Sequence, residues 1–148
     1  MAIYGAGSMW DGEEMSEQFF AQGNFVVGWN RATGGDLQAS LASLKIGDII
    51  YLKGNRPGSR VIRVKGIGFV TRSFIECVQA GEYPAEAIEA WQQFFVGVRW
   101  VVREEFRIEI PAGVGRLTNI RAATFYEEPL ALVQNAILDR LTAALGPA

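Results

Sequence analysis

The chain has 148 residues, is 49% hydrophobic and 20% charged, and carries a formal net charge of −2. This fits one globular domain with a proper core and excludes a disordered chain. It holds no histidine and a single cysteine, Cys77, which excludes Ser-His and Cys-His nucleophiles, histidine-based zinc and iron sites, an intramolecular disulfide and any multi-cysteine metal site. The net charge offers no global argument for nucleic acid, although a local basic patch would suffice.

Residues 2–10 are rich in glycine and aromatics and read as a short strand running into a loop. Asp11 with Glu14 has the form of an N-cap and its reciprocal partner. Met15, Phe19 and Phe20 follow at helical spacing, so a helix is predicted over 12–22 with Gly23 as its stop. Residues 25–29 form a continuous apolar run of strand length, the pattern of burial on both faces. Gly34-Gly35-Asp36 reads as a loop and N-cap before a short helix with Leu37, Leu41 and Leu44 in one stripe. After the Gly47-Asp48 turn comes a strand over 48–53, then an exposed Gly/Pro/Asn loop over 53–59. Residues 61–71 alternate apolar and charged side chains before becoming apolar at 67–70, as a strand does on passing from a sheet edge into a core.

A helical pattern covers 74–95, with Pro84 as a first-turn residue and Ile88, Trp91 and Phe95 on one side. Residues 96–110 read as one long strand, with Val98, Trp100 and Val102 on one face and Arg99, Val101 and Arg103 on the other. A turn over 111–115, a strand within 117–126 and an amphipathic helix over 128–145 (Leu132, Ile137, Leu141, Leu145) close the chain. The terminal Gly-Pro-Ala could be where a longer polypeptide was cut. Without internal repeats or linkers, residues 1–148 are expected to form one domain. Five or six strands without a βαβ rhythm predict an α+β fold, a small curved β-barrel with flanking helices.

Several short motifs stand in a definite order: Phe25-Val26-Val27-Gly28-Trp29, Gly35-Asp36-Leu37, Lys45-Ile46-Gly47-Asp48-Ile49-Ile50-Tyr51, Gly66-Ile67-Gly68-Phe69-Val70 and Val98-Arg99-Trp100. Together they resemble the PUA-like superfamily, most of all the EVE-type domains and their relatives at the N-termini of methylation-dependent restriction enzymes. The likeness covers about residues 24–126, and the N-terminal segment departs most from it. The resemblance implies a reader and no enzyme. A modified base, flipped out of a duplex or presented in a single strand, enters an aromatic pocket, where stacking restores about 1–3 kcal/mol per base. The implied ligand is methylated or hydroxymethylated cytosine, or methyladenine, in DNA, with RNA as the other polymer. The implied setting is the specificity part of a prokaryotic defence or restriction system, fused to or beside a nuclease effector, with no cofactor, metal or membrane.

Trp29, Trp10, Tyr51 and Trp100 are the candidate pocket aromatics, and Asn30 or Asp36 could hydrogen-bond a base edge. Each has a plainer reading, the aromatics as core and Asp36 as a helix cap. Between Asp48 and Glu76 no acidic residue occurs, while Lys53, Arg56, Arg60, Arg63, Lys65 and Arg72 are all basic. This stretch is the candidate phosphate-backbone track; alternatively these cations merely solvate a loop and a strand. The alternative function is a barrel that binds a small nucleotide-like ligand or a protein partner, for example a viral counter-defence factor. An enzyme using carboxylates alone ranks last. The Gly-x-Gly pairs at 5–7, 66–68 and 113–115 lack the further residues of a nucleotide loop. Glu104 and Glu105, as neighbours on a strand, would point to opposite faces. With no charged-then-apolar leader and no apolar run of about 18 residues, a cytoplasmic location is expected.

Overall fold

Residues 49–52, Ile-Ile-Tyr-Leu, contain no charged side chain, so a strand built from them must be covered on both faces. In the computed structural model it is, and the rest of the fold supplies the cover. The structure describes residues 1–28, 31–54, 56, 58–90, 93–114 and 124–147. Its strands are β1 (Ile3–Gly7), β2 (Met9–Trp10), β3 (Glu13–Glu14), β4 (Asn24–Val26), β5 (Ile49–Gly54), β6 (Val61–Arg72), β7 (Phe95–Val102), β8 (Phe106–Glu109) and β9 (Phe125–Glu127). The helices are α1 (Ser16–Gln22), α2 (Arg31–Ala42), α3 (Phe74–Gln79), α4 (Ala85–Ala90) and α5 (Ala131–Leu145).

One sheet runs in the order β4-β7-β6-β5-β1-β9, and β8 pairs with the first part of β6. The β1–β5 pairing is parallel and the others are antiparallel. Three register shifts bend it: Lys65 and Thr71 are extra residues in β6, and Val101 is an extra residue in β7. Each bulge adds local twist and kinks its strand. The curl brings the two end strands together, so that the ring of Phe25 on β4 lies 5.6 Å from that of Phe125 on β9. The fold is therefore α+β with a strongly curled sheet.

Alternation along β5 sends Ile50 and Leu52 into the concave core, with Phe19 and Phe20 of α1, Leu41 of α2 and Cys77 of α3. Ile49 and Tyr51 face the opposite core, which α5 covers with Val133, Ile137 and Leu141. Gly66 and Gly68 are needed where the layers meet. A Cβ at Gly66 would stand 2.6 Å from Phe20 Cζ, and one at Gly68 2.6 Å from Val98 Cγ1. Among the described residues no helix is long and apolar enough to cross a membrane.

Several elements depart from the expectations. Asp11 is not a helix N-cap. Asp11 and Gly12 adopt φ of 49° and 83° and form the two-residue turn of the β2–β3 hairpin, so the helix begins only at Ser16. Asp36 is not a cap either, because α2 starts at Arg31 and runs through both glycines. The strand predicted over 25–29 ends at Val26. The 74–95 pattern is broken into two helices: Ser73 and Glu76 form a capping box at α3, and Gly81, at φ 73°, turns the chain before Pro84 and α4. The long strand predicted over 96–110 is interrupted: β7 and β8 both run antiparallel to β6, along its second and first parts, with Glu104 and Glu105 in the break between them rather than on a strand. Trp91, and most of the strand predicted within 117–126, lie outside the described residues.

Candidate functional site

The most sharply built surface feature lies where the β2–β3 hairpin meets the chain leaving β4. Asp-Gly supplies the left-handed dihedrals of a tight hairpin turn, which places Trp10 opposite Glu13 and Met9 opposite Glu14. The Met15 amide donates to Ser8 O at 2.7 Å. Ser8 Oγ donates to Glu14 Oε1 at 2.6 Å, and Lys65 Nζ donates to Ser8 Oγ at 3.0 Å and to Glu14 Oε2 at 2.8 Å. Burial works against ionisation of Glu14. The hydrogen bonds from Lys65, Ser8 and Ser16, with the Lys65 charge, outweigh it and hold the carboxyl below the usual carboxylate range.

The facing wall is Gly28. It is presented by Gln38 of α2, a fully buried amide whose Nε2 donates to Val27 O at 3.1 Å and whose Oε1 accepts from the Phe94 amide at 3.3 Å. A Cβ at Gly28 would lie 3.1–3.2 Å from three indole atoms of Trp10. Glycine here lets the backbone meet the ring. The indole also packs edge-on to Phe19, with centroids 6.0 Å apart.

Met9, Trp10, Asp11 and Gly28 line a groove of about 140 Å³. That is small beside the several hundred Å³ typical of sites for drug-sized ligands, and it suits a single planar ring rather than a dinucleotide. It offers an indole, a backbone edge and the Asp11 carboxylate, an acceptor suited to an exocyclic amino group such as that of cytosine. Trp29 and Asn30, the next residues after Gly28, lie outside the described residues.

The other proposed pocket residues sit elsewhere. Tyr51 is fully buried; its hydroxyl donates to Glu128 Oε1 at 2.6 Å and lies 2.9 Å from Tyr126 Oη. Burial, with Tyr126 and Glu128 beside it, drives its ionisation far above the usual tyrosine range, so it serves as a neutral core donor. Trp100 is 5% exposed, donates from Nε1 to Asn24 O at 3.0 Å and packs edge-on to Phe20. Asp36 is exposed in mid-helix. Tyr51 and Trp100 are core residues, and only Trp10, of the described aromatics nominated from sequence, lines the groove.

The basic stretch is also rearranged. Lys53 is buried, its ammonium 5.5 Å from the Tyr126 ring centroid. Arg63 pairs with Glu105 at 2.7 Å, Lys65 with Glu14, and Arg72 with Glu82 through two bonds of 2.6 and 2.9 Å. The pairing acids come from outside the basic stretch, Glu14 and Glu105 from distant parts of the chain and Glu82 from ten residues beyond Arg72, so sequence segregation does not become spatial segregation. Arg56 and Arg60 remain exposed on the β5–β6 loop, with Arg60 donating to Pro111 O at 3.1 Å. A different set of exposed arginines lies on β7, on the segment between β7 and β8, and on α5: Arg99 above Phe69, Arg103 above Phe20 and Arg140 4.1 Å above Phe106.

The residues that sequence reasoning missed are Asp11 and Gly28 as groove walls, and Gln38, Ser8, Glu14 and Lys65 as their supports. The Asp-Gly dipeptide after an aromatic was a hairpin signal that could have found the first. Nothing local marks the others. Among the described residues no group of three His, Cys, Asp or Glu could hold a metal ion. In comparisons with known proteins, no family model matches the chain and no curated protein is significantly similar to it.

Proposed function

We propose that this domain reads a modified base, in DNA or RNA, at the Trp10–Gly28 groove, without catalysing a reaction. The observation that carries the reading is the groove itself: an indole held against a bare backbone, walled by a carboxylate, and sized for one ring. A base outside its stack recovers about 1–3 kcal/mol on an aromatic face, and a methyl group adds apolar area worth roughly 25 cal/mol per Å² buried. The motif order that resembles PUA-like, EVE-type domains supports the same reading, as does the curled sheet with helices packed on its faces. On this reading the domain acts inside the cell as the specificity element of a defence system beside a nuclease effector. Trp29 and Asn30, nominated for the pocket from sequence, are the residues that follow Gly28 in the chain.

Pairing of Arg63, Lys65 and Arg72 with acids favours one alternative, a free nucleotide-like ligand that needs no long phosphate track. Fluorescence anisotropy separates the two. Oligonucleotides carrying cytosine, 5-methylcytosine, 5-hydroxymethylcytosine, adenine or N6-methyladenine, in duplex and single-stranded form, are titrated at two salt concentrations beside the free nucleotides. Preferential binding of one modified oligonucleotide that weakens with salt supports the polymer reader. Binding of free nucleotides with the same affinity supports the alternative, and no binding to either refutes both.

A further inference from the structure

We infer that Lys65 is a positioning residue for the Trp10 groove, acting through Glu14 and Ser8 on the hairpin that carries the indole. The inference rests on the groove reading only for its consequence in binding; the structural link stands by itself. The β2–β3 hairpin is a separate two-stranded sheet with two residue pairs, and among the described residues it makes no ladder with the main sheet. A ribbon that small is marginal in water, so its placement depends on what else holds it.

The chief polar tie is Lys65. It is the extra residue of the β6 bulge, where Leu52 pairs with Gly66 and Lys53 with Val64, and bulges characteristically re-aim a side chain. Its side chain is 8% exposed, and its ammonium meets Ser8 Oγ at 3.0 Å on the strand side and Glu14 Oε2 at 2.8 Å on the hairpin. Ser8 Oγ closes the triangle onto the other Glu14 oxygen at 2.6 Å. The bridge therefore fixes the hairpin to the most central part of the sheet, and Trp10 lies across the same two-residue turn. The Arg63–Glu105 and Arg72–Glu82 pairs are half-exposed on the surface, where such pairs contribute little. The Lys65–Glu14 pair differs in its lysine, which is buried although Glu14 is 37% exposed, and losing a tie to a buried charge is more disruptive than losing a surface pair. Glu17, Arg63, Arg103 and Glu105 line the cavity beside the bridge, so the loss of Lys65 leaves Glu14 among both signs of charge and free to swing out.

The test uses the full chain labelled with 5-fluorotryptophan. Four tryptophans give four fluorine resonances, and Trp10→Phe and Trp100→Phe assign two of them. In Lys65→Met the Trp10 resonance shifts and broadens while that of Trp100, buried in the core, keeps its position. A Trp10 resonance left in place overturns the inference. If Lys65→Met does not fold, the Trp100 line is lost as well, and Glu14→Gln, which removes the charge and keeps a hydrogen-bonding side chain, takes its place with the same two outcomes. The second arm measures discrimination between modified and unmodified oligonucleotides. It falls, as affinity for the preferred modified oligonucleotide drops roughly 5- to 150-fold, the loss of one stacked base. Unchanged discrimination with a displaced Trp10 signal overturns the positioning role. A wild-type protein with no preference for any modified base refutes the reader, and the fluorine signals still decide the structural link.

Discussion

Gly28→Ala inserts one methyl group into the narrowest point of the groove. Its Cβ would meet Trp10 Cε2 at 3.1 Å and Cδ2 and Cζ2 at 3.2 Å, against an ordinary carbon contact of roughly 3.5–4.0 Å. The indole must therefore retreat by roughly 0.3–0.9 Å. Gly28 has no left-handed φ, so alanine strains no dihedral. The ring is half-exposed on a two-pair hairpin, so it can yield. Overpacking should then cost about 1 kcal/mol, at the low end of its usual range, or roughly 2–4 °C in Tm for a chain of this length. The effect on binding is larger, because a retreating indole closes the space in which a ring would stack. Loss of that stack weakens binding of the preferred modified oligonucleotide by roughly 5- to 150-fold. Anisotropy titration and thermal melting of the same samples measure both numbers. Gly113→Ala, where a Cβ meets nothing within 4 Å, is the control and should change neither. A lowered Tm with full binding affinity would refute the groove as the base site. Unchanged melting and unchanged binding together would refute the Trp10–Gly28 contact itself.

Tyr51→Phe removes a 2.6 Å donor from Glu128, which is 1% exposed; a hydrogen bond to a buried charged group is worth about 1.5–3 kcal/mol, and a denaturant midpoint within error of wild type would contradict that role. Glu14 ionises more readily folded than unfolded. Its contribution is thus complete above the unfolded value of about 4.3 and fades as pH falls through the lower folded value. Denaturation midpoints between pH 7 and pH 3 should show this fall, and Glu14→Gln should flatten it only in part, because Glu82, lowered by Arg72, acts in the same direction. Under the reader hypothesis, neutralising exposed Arg56 and Arg60 should lower the salt slope of oligonucleotide binding by about one each. Neutralising Arg72, already paired with Glu82, should change the slope less, and equal losses would argue for the track as read from sequence.

Much of the framework was legible because its signal is local. The strand read over 48–53 is present as β5 at the centre of the sheet, and its uncharged Ile-Ile-Tyr-Leu run suits the cover it receives on both faces. The spacing of Leu132, Ile137, Leu141 and Leu145 specified a covering helix, although Val133 joins Ile137 and Leu141 in the core while Leu132 is only partly buried and Leu145 is exposed. The errors came where two local signals competed. Asp11 and Glu14 satisfied a capping pattern, yet Asp11-Gly12 equally encoded a turn. The turn prevailed, with Trp10 and Met9 cross-paired and Glu14 drawn to Lys65. The helical period over 74–95 outweighed the break at Gly81 in the reading, although a left-handed residue there ends the first helix.

The sequence by itself determined the chemistry that is absent and the elements that must be buried: no histidine to act as base or ligand, and apolar runs too continuous for a surface. Both follow from side-chain identity or from spacing along one strand or helix. Only the tertiary structure decided which aromatics face solvent and which cations are already paired. Tyr51 and Trp100 resemble pocket residues in sequence, but their polar atoms find Glu128 and Asn24 inside the fold. Lys65 looks like one of a row of cations until a bulge turns it toward a carboxylate 51 residues earlier in the chain. Burial and pairing are set by contacts between segments distant in sequence, and no local pattern of residues encodes which distant partner will arrive.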